Sequence, residues 1–172
     1  MTTPETLFES RWLSVHRCGH WEFVRRPQSE TCVGILAITR SREIVLVEQF
    51  RIPVQCRVIE LPAGIIGDEP EHLSESLAEA ASRELLEETG YLAGSIEQLI
   101  VTPTSAGMTS EFMHLFYAKE LVREHAGGGV SGEEIIVHQV PLDNLRKWLH
   151  TQEAAGLVID FKIHAALWLA GL

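Results

Sequence analysis

Residues 83–91 read Arg-Glu-Leu-Leu-Glu-Glu-Thr-Gly-Tyr, a run whose acids recur at helical spacing. Advancing about 100° per residue from Leu77, Glu84 and Glu88 fall roughly 20° to either side of it, with Ala81 near about 40° and Leu85 near about 80°. Two carboxylates therefore share the apolar stripe that should face a core. Ionised acids are costly to bury unless paired or bound to metal, and like charges four residues apart repel by roughly 0.2–0.5 kcal/mol. Divalent cations on that face remove the conflict.

The surrounding residues support such a site. Arg83 and Glu87 are neighbours at the flank of the stripe, an i, i+4 pair that can orient the acid row without joining it. Ser74 or Ser76 can cap the helix start, Ser76 with Glu79 makes a capping-box pattern, and Gly90 suits its end, so the spacing predicts a helix over 75–89. Upstream, Glu60-Leu-Pro-Ala-Gly64 reads as a strand entering a turn. Pro62 ends regular pairing, Gly64 admits a close backbone approach, and the Ala63 carbonyl is left to point at the helix start. A carbonyl oxygen beside carboxylates suits magnesium, with manganese as the alternative.

These residues resemble the signature of the Nudix hydrolase superfamily: glycine, five residues, glutamate, seven residues, then Arg-Glu-apolar-x-Glu-Glu-x-Gly-apolar. Gly64, Glu75, Arg83, Glu84, Leu85, Glu87, Glu88, Gly90 and Tyr91 occupy its positions, with ten residues rather than five between Gly64 and Glu75. From about Gly19 to Ala166 the chain is most similar to the ADP-ribose pyrophosphatase branch. The similarity lies in Glu-Gln-Phe-Arg51, Glu-Leu-Pro-Ala-Gly64, the acidic box, His114-Leu-Phe and Val-Ile-Asp-Phe-Lys162.

The resemblance implies roles. Glu84, Glu88 and the Ala63 carbonyl would hold Mg2+, and Glu87 would fix Arg83 or share a metal through water. Arg26 and Arg51 would hold the diphosphate, Trp21 and Glu22 the nucleobase, and Glu60 would lie near the second sugar. An acid on a glycine-rich loop would orient or deprotonate the attacking water; Glu133 is the first choice and Glu134 its competitor. The implied reaction splits ADP-ribose into AMP and ribose 5-phosphate. The loop Pro103-Thr-Ser-Ala-Gly107 has Ala106 where that branch often shows proline, so GDP-mannose and other nucleotide sugars, or dinucleotides, are alternative substrates. A non-catalytic nucleotide-sensing module is the rival outside enzymes. In this branch the N-terminal strands exchange across a homodimer, which assigns residues 1–30 to dimerisation and nucleobase contacts and 31–172 to the hydrolase domain.

The elements needed to position these groups are legible in outline. Cys32–Thr39 and Glu43–Arg51 are apolar, β-branched runs that read as a close antiparallel pair, and further strands are expected over 7–16, 20–26, 96–102, 112–119 and 134–140. Helices are expected over 141–150 and 160–171, the second capped by Asp160. Strands and helices without strict alternation predict an α+β fold, a mixed sheet sandwiched between helices. The four glycines between Ala126 and Gly132 predict a mobile loop.

With 172 residues, 45% of them hydrophobic, one core of ordinary size is expected. The formal charge is −10, and no basic stripe of the kind that binds nucleic acid is present. An acidic enzyme still binds an anionic diphosphate where metals and a few arginines neutralise the site. No apolar run is long enough to span a bilayer, and Cys18, Cys32 and Cys56 have no metal-type spacing, so a cytoplasmic protein with reduced thiols and no membrane partner is expected.

Overall fold

A computed structural model describes residues 3–67, 75–129 and 134–172. Strands β1 (Glu5–Glu9), β2 (Ser14–Cys18) and β3 (Trp21–Arg25) form an antiparallel sheet of their own. The single strand expected over 7–16 is thus two strands joined by a turn. Ser10 makes that turn: its Oγ accepts the Leu13 N–H at 3.1 Å and donates to the Leu13 carbonyl at 2.8 Å. A serine closing a turn through its own side chain leaves no glycine or proline to mark the break.

The remaining elements are β4 (Thr31–Ile38), β5 (Glu43–Arg51), β6 (Cys56–Glu60), β7 (Ala63–Ile65), α1 (Leu77–Thr89), β8 (Tyr91–Leu92), β9 (Ser95–Pro103), β10 (Phe112–Lys119), β11 (Val122–Arg123), β12 (Ile136–Pro141), α2 (Leu142–Ala154), β13 (Val158–Ile159) and α3 (Lys162–Ala170). The main sheet runs β13-β6-β5-β4-β10-β9, with β12 added to β5 and β7 added to β4, while β8 and β11 pair separately. β4 with β10 and β6 with β13 are parallel and the other pairs antiparallel. The sheet is mixed, as the α+β expectation required.

Alternation along β4 sorts its side chains between two cores. Val33 and Ile35 pack with Val45, Phe116, Ala81 and Leu85 under α1. Cys32, Leu36 and Ile38 pack with Ile44, Leu46, Ile59, Leu145, Leu149, Ile163 and Ala166 under α2 and α3. Both faces are covered, which is why β4 and β5 read as unbroken apolar runs. Asp160 Oδ1 accepts the Lys162 N–H at 2.8 Å, the capping role expected at the start of α3.

One irregularity opens the sheet where the acids converge. β4 pairs with β5 only at Ala37 and Ile38, and its first half pairs instead with β7, Gly34 opposite Ala63 and Cys32 opposite Ile65. The chain changes partner between β6, on β5, and β7, on β4. Leu61 and Pro62 lie at the change, and Pro62 still offers its carbonyl to the Ile35 N–H at 2.8 Å. β4 and β5 diverge around this segment, and the gap faces the start of β7 and the inner side of α1.

Candidate active site

Helix α1 has the ends its sequence predicts. Ser76 accepts the Glu79 N–H, Glu79 returns a carboxylate to the Ser76 N–H at 2.8 Å, and Gly90 closes the helix at φ 75°. Ser74 lies outside the described residues. Ala81 and Leu85 are wholly buried and Glu88 is 5% exposed, so the stripe calculated from helical periodicity is the face that meets the sheet. Glu84 stands directly over Gly64: a Cβ there would lie 2.0 Å from Glu84 Cδ and 2.2 Å from its Oε1. The glycine makes room for a carboxylate rather than for a turn.

Glu88 is anchored from the other strand. Ile35 N–H bonds to Pro62 O and Ile66 N–H to Thr31 O, so by antiparallel alternation Ala63 is a non-hydrogen-bonded pair whose N–H and C=O both turn away from β4. Its N–H donates to Glu88 Oε2 at 3.0 Å. The carbonyl leaves the strand on the same side, toward the acid row.

Arg83 gathers the remaining acids. Its Nη1 lies 2.9 Å from Glu84 Oε1 and 3.0 Å from Glu87 Oε2, and its Nε donates to Glu75. Burial by itself works against the guanidinium charge, but Glu84, Glu75 and Glu87 outweigh it and hold Arg83 more firmly protonated than usual. The flanking i, i+4 pair is present as expected. The same arginine also touches Glu84, which the helical wheel had left apart from it.

These groups line a cleft of about 410 Å³. Of the residues singled out in the sequence, Arg26, Arg51, Glu60, Ala63, Gly64, Arg83, Glu84, Glu87 and Glu88 meet there. Arg51 Nε donates to Glu60 Oε2 at 2.6 Å. Four cations and five carboxylates line the walls, since Lys162 and Glu111 join the residues named. Sequence reasoning missed both. Glu111 pairs with Arg26 across 85 positions of chain, and Lys162 is held by Asp160 at 2.5 Å. Only the Val-Ile-Asp-Phe-Lys162 resemblance hinted at the lysine.

The other expected residues lie elsewhere. Trp21 and Glu22 are on β3, outside the cleft walls; Trp21 is 52% exposed and Glu22 is paired with Arg17 at 2.8 Å. Glu134 is exposed and does not line the cleft, and Glu133 lies outside the described residues. Cys32 does line it, but burial pushes its thiol up to about 12, too high for a thiolate nucleophile at neutral pH.

Among the described residues no three His, Cys, Asp or Glu side chains converge as a ready-made metal cage. The donor set nevertheless suits a hard divalent cation. Glu84, Glu87 and Glu88 crowd one helix face opposite a backbone carbonyl, all are oxygen donors, and their mutual repulsion favours a shared counter-charge. With the arginines across the cleft, this is an arrangement for binding a polyanion beside a metal.

An acid-bearing helix packed on a mixed sheet at a partner-switching strand defines the class of fold, and comparison with known proteins gives the family. Residues 29–161 match the model of the NUDIX domain family, and the chain belongs to that family. It is 36% identical over 135 residues to an ADP-ribose pyrophosphatase of Bacillus subtilis (strain 168), covering 77% of this chain and 68% of that one. It is 38% identical over 117 residues to a methanol dehydrogenase activator of Bacillus methanolicus, covering 67% and 58%. A GDP-mannose pyrophosphatase of Escherichia coli (strain K12) is 32% identical over 128 residues, covering 69% and 63%. The chain thus spans roughly three fifths to two thirds of these relatives' length. A crystal structure of an ADP compounds hydrolase shares the fold, with a TM-score of 0.73 at 22% identity over 98% of this chain and 89% of that one.

Proposed function

We propose that this protein hydrolyses the diphosphate of a nucleoside diphosphate-linked substrate, ADP-ribose foremost, to AMP and ribose 5-phosphate. The observation that carries the reading is the cleft itself, in which the inward acids of α1 face Arg26, Arg51 and Lys162 across a space large enough for a diphosphate. The similarity to the ADP-ribose pyrophosphatase supports it. The GDP-mannose pyrophosphatase, together with Ala106 in the loop after β9, supports a nucleotide sugar as the second reading.

In this proposal Glu84, Glu88 and the Ala63 carbonyl hold Mg2+, or Mn2+ in its place. The cation supplies neutralisation of the diphosphate and acidification of water. Arg26 and Arg51 grip phosphate oxygens, exchanging Glu111 and Glu60 for substrate, and so orient the bridging bond for in-line displacement. Glu87 keeps Arg83 against the acid row. Glu133, or else Glu134, takes the proton from water as its oxygen bonds to phosphorus. The bridging P–O bond then breaks, and its electron pair leaves with the departing phosphate.

Hydrolysis of ADP-ribose, GDP-mannose and a dinucleotide with Mg2+ in 18O-labelled water tests both parts. ADP-ribose should turn over fastest, with one label in a single product. Absence of magnesium-dependent turnover on all three would refute the reading.

Residues 1–30 form, in the same proposal, a dimerisation unit that carries Trp21 and Glu22 to a partner's nucleobase site, with 31–172 as the hydrolase domain of a cytoplasmic homodimer. Support comes from Trp21 lying outside its own cleft and from Phe8 and Trp12, both more than half exposed on the same N-terminal segment. Sedimentation should give twice the 19.2 kDa chain mass, and deletion of residues 1–30 should yield monomers with a raised KM. A deletion variant that still dimerises would remove the exchange.

A further inference from the structure

The four cations of the cleft are not equivalent. Arg26 is paired with Glu111 and Arg51 with Glu60, and both acids line the cleft beside their arginines. Arg83 is paired with Glu84 and Glu87, which line it too. Lys162 differs. Its Nζ lies 2.5 Å from Asp160 Oδ2, and Asp160 is not one of the cleft walls. A polyanion in the cleft therefore meets this ammonium from the side away from its acid.

Backbone geometry fixes where the ammonium stands. β13 runs parallel to β6, with Ile159 opposite Ile59, and the ladder continues one residue further, Asp160 N–H donating to the Ile59 carbonyl at 2.9 Å. The Asp160 carbonyl accepts the Ile163 N–H at 3.2 Å and its Oδ1 the Lys162 N–H at 2.8 Å. Oδ2 is left for the ammonium. The residue after Ile59 is Glu60, which holds Arg51, so one strand pair sets the spacing of two cations. The Lys162 side chain is 21% exposed; an ammonium has three donors and Asp160 takes one, so two remain for the cleft. Lys162 also borders an adjoining cavity of about 200 Å³ walled by Met113, Leu115, Phe161 and Leu169. A carbon stem supported on apolar side chains leaves the charged head to the polar side. The field of that head reaches the cleft interior: burial and Glu111 raise the Cys32 thiol, while Lys162 and Arg26 oppose the rise.

We infer that Lys162 is a substrate-binding residue, donating to a phosphate oxygen of the diphosphate from the side of the cleft opposite α1, and that Asp160, outside the cleft, is its positioning residue. The inference rests on the proposed hydrolase reading for the identity of the anion, and it adds a grip that substrate need not free from an acid inside the site. The acids of α1 lie across the cleft, so the contact is present in the ground state and the transition state alike. Such a contact strengthens binding and leaves the chemical step largely unchanged.

The test is binding of a methylene-bridged, non-hydrolysable analogue of ADP-ribose in the presence of Mg2+, read by calorimetry, beside KM and kcat for ADP-ribose. Lys162→Met is expected to weaken analogue binding and raise KM about tenfold to hundredfold, the range that a hydrogen bond to a charged group contributes. Its kcat should stay within about threefold of wild type and its melting temperature should hold. Lys162→Arg keeps the charge and should recover most of the affinity. Asp160→Asn keeps an acceptor for the start of α3 but releases the ammonium, so it should weaken binding less than Lys162→Met, and the double variant should bind no worse than Lys162→Met alone. A Lys162→Met protein that binds the analogue as tightly as wild type overturns the inference, as does one whose melting temperature falls together with its affinity; should it fail to fold, Lys162→Gln is read the same way. Additive losses in the double variant would remove Asp160 as the positioning residue. Wild-type protein that binds the analogue yet hydrolyses no diphosphate refutes the hydrolase reading and leaves Lys162 judged by binding; wild-type protein that does not bind it refutes both.

Discussion

Glu88→Gln is expected to lower magnesium-dependent turnover by about 10³-fold or more, on the several kcal/mol a catalytic cation contributes and the 1.36 kcal/mol that each tenfold in rate represents. Glutamine keeps the shape and an acceptor oxygen for the Ala63 N–H, now 3.0 Å from Glu88 Oε2, so the helix should remain docked. It removes a charge from a side chain that is 5% exposed and one member of a like-charged pair with Glu84, and both changes favour folding. The melting temperature should hold or rise while the rate collapses. That divergence separates a ligand from a structural acid, whose loss would lower stability with activity. Thermal unfolding, Mn2+ titration and kcat on the same preparation make the comparison; a variant that keeps its rate within a few-fold and its Mn2+ affinity would take Glu88 out of the metal site.

Gly64→Ala should be nearly as damaging to activity for a different reason. Its φ is not in the left-handed region, so alanine costs the backbone little. The added methyl would stand 2.0 Å from Glu84 Cδ and 2.5 Å from its Cγ, and the carboxylate must swing away. Because the obstruction is the far end of a flexible side chain, the protein folds with a modest loss of stability. Displacing a reacting group by about 1 Å can cost about 10²-fold in rate, the loss expected here. A double variant, Gly64→Ala with Glu84→Gln, should be no slower than Glu84→Gln alone, since both act on one carboxylate. Additive losses would mean that Gly64 matters through β7 and not through Glu84.

What could be read from residues alone was local in origin. The inward direction of Glu84 and Glu88 follows from the helical repeat between positions four apart, and the ends of α1 follow from Ser76, Glu79 and Gly90, all within a turn of where they act. β5 and β10 carry the bounds expected of them because burial on both faces imposes an apolar run that needs no knowledge of the partner. The two-residue strands β8, β11 and β13 carry no readable pattern, and of β6 and β7 only the strand-to-turn segment Glu60-Leu-Pro-Ala-Gly64 is legible, since their pairing is decided by distant chain. Glu111 was invisible for the same reason: its place in the cleft depends on β10 lying beside β4 and on Arg26 reaching it from the far end of the sequence.

The sequence by itself determined that a helix would press acids toward a core and that a hard cation could reconcile them. Tertiary structure alone decided what faces those acids. The switch from β6 to β7 turns Ala63 toward Glu88, Gly64 yields space to Glu84, and Gly127, in a stretch that composition marks as loose, is pressed against the end of α1. Periodicity is a property of one segment and survives in any context. Close approach is a property of two, and it exists only once the chain has brought them together.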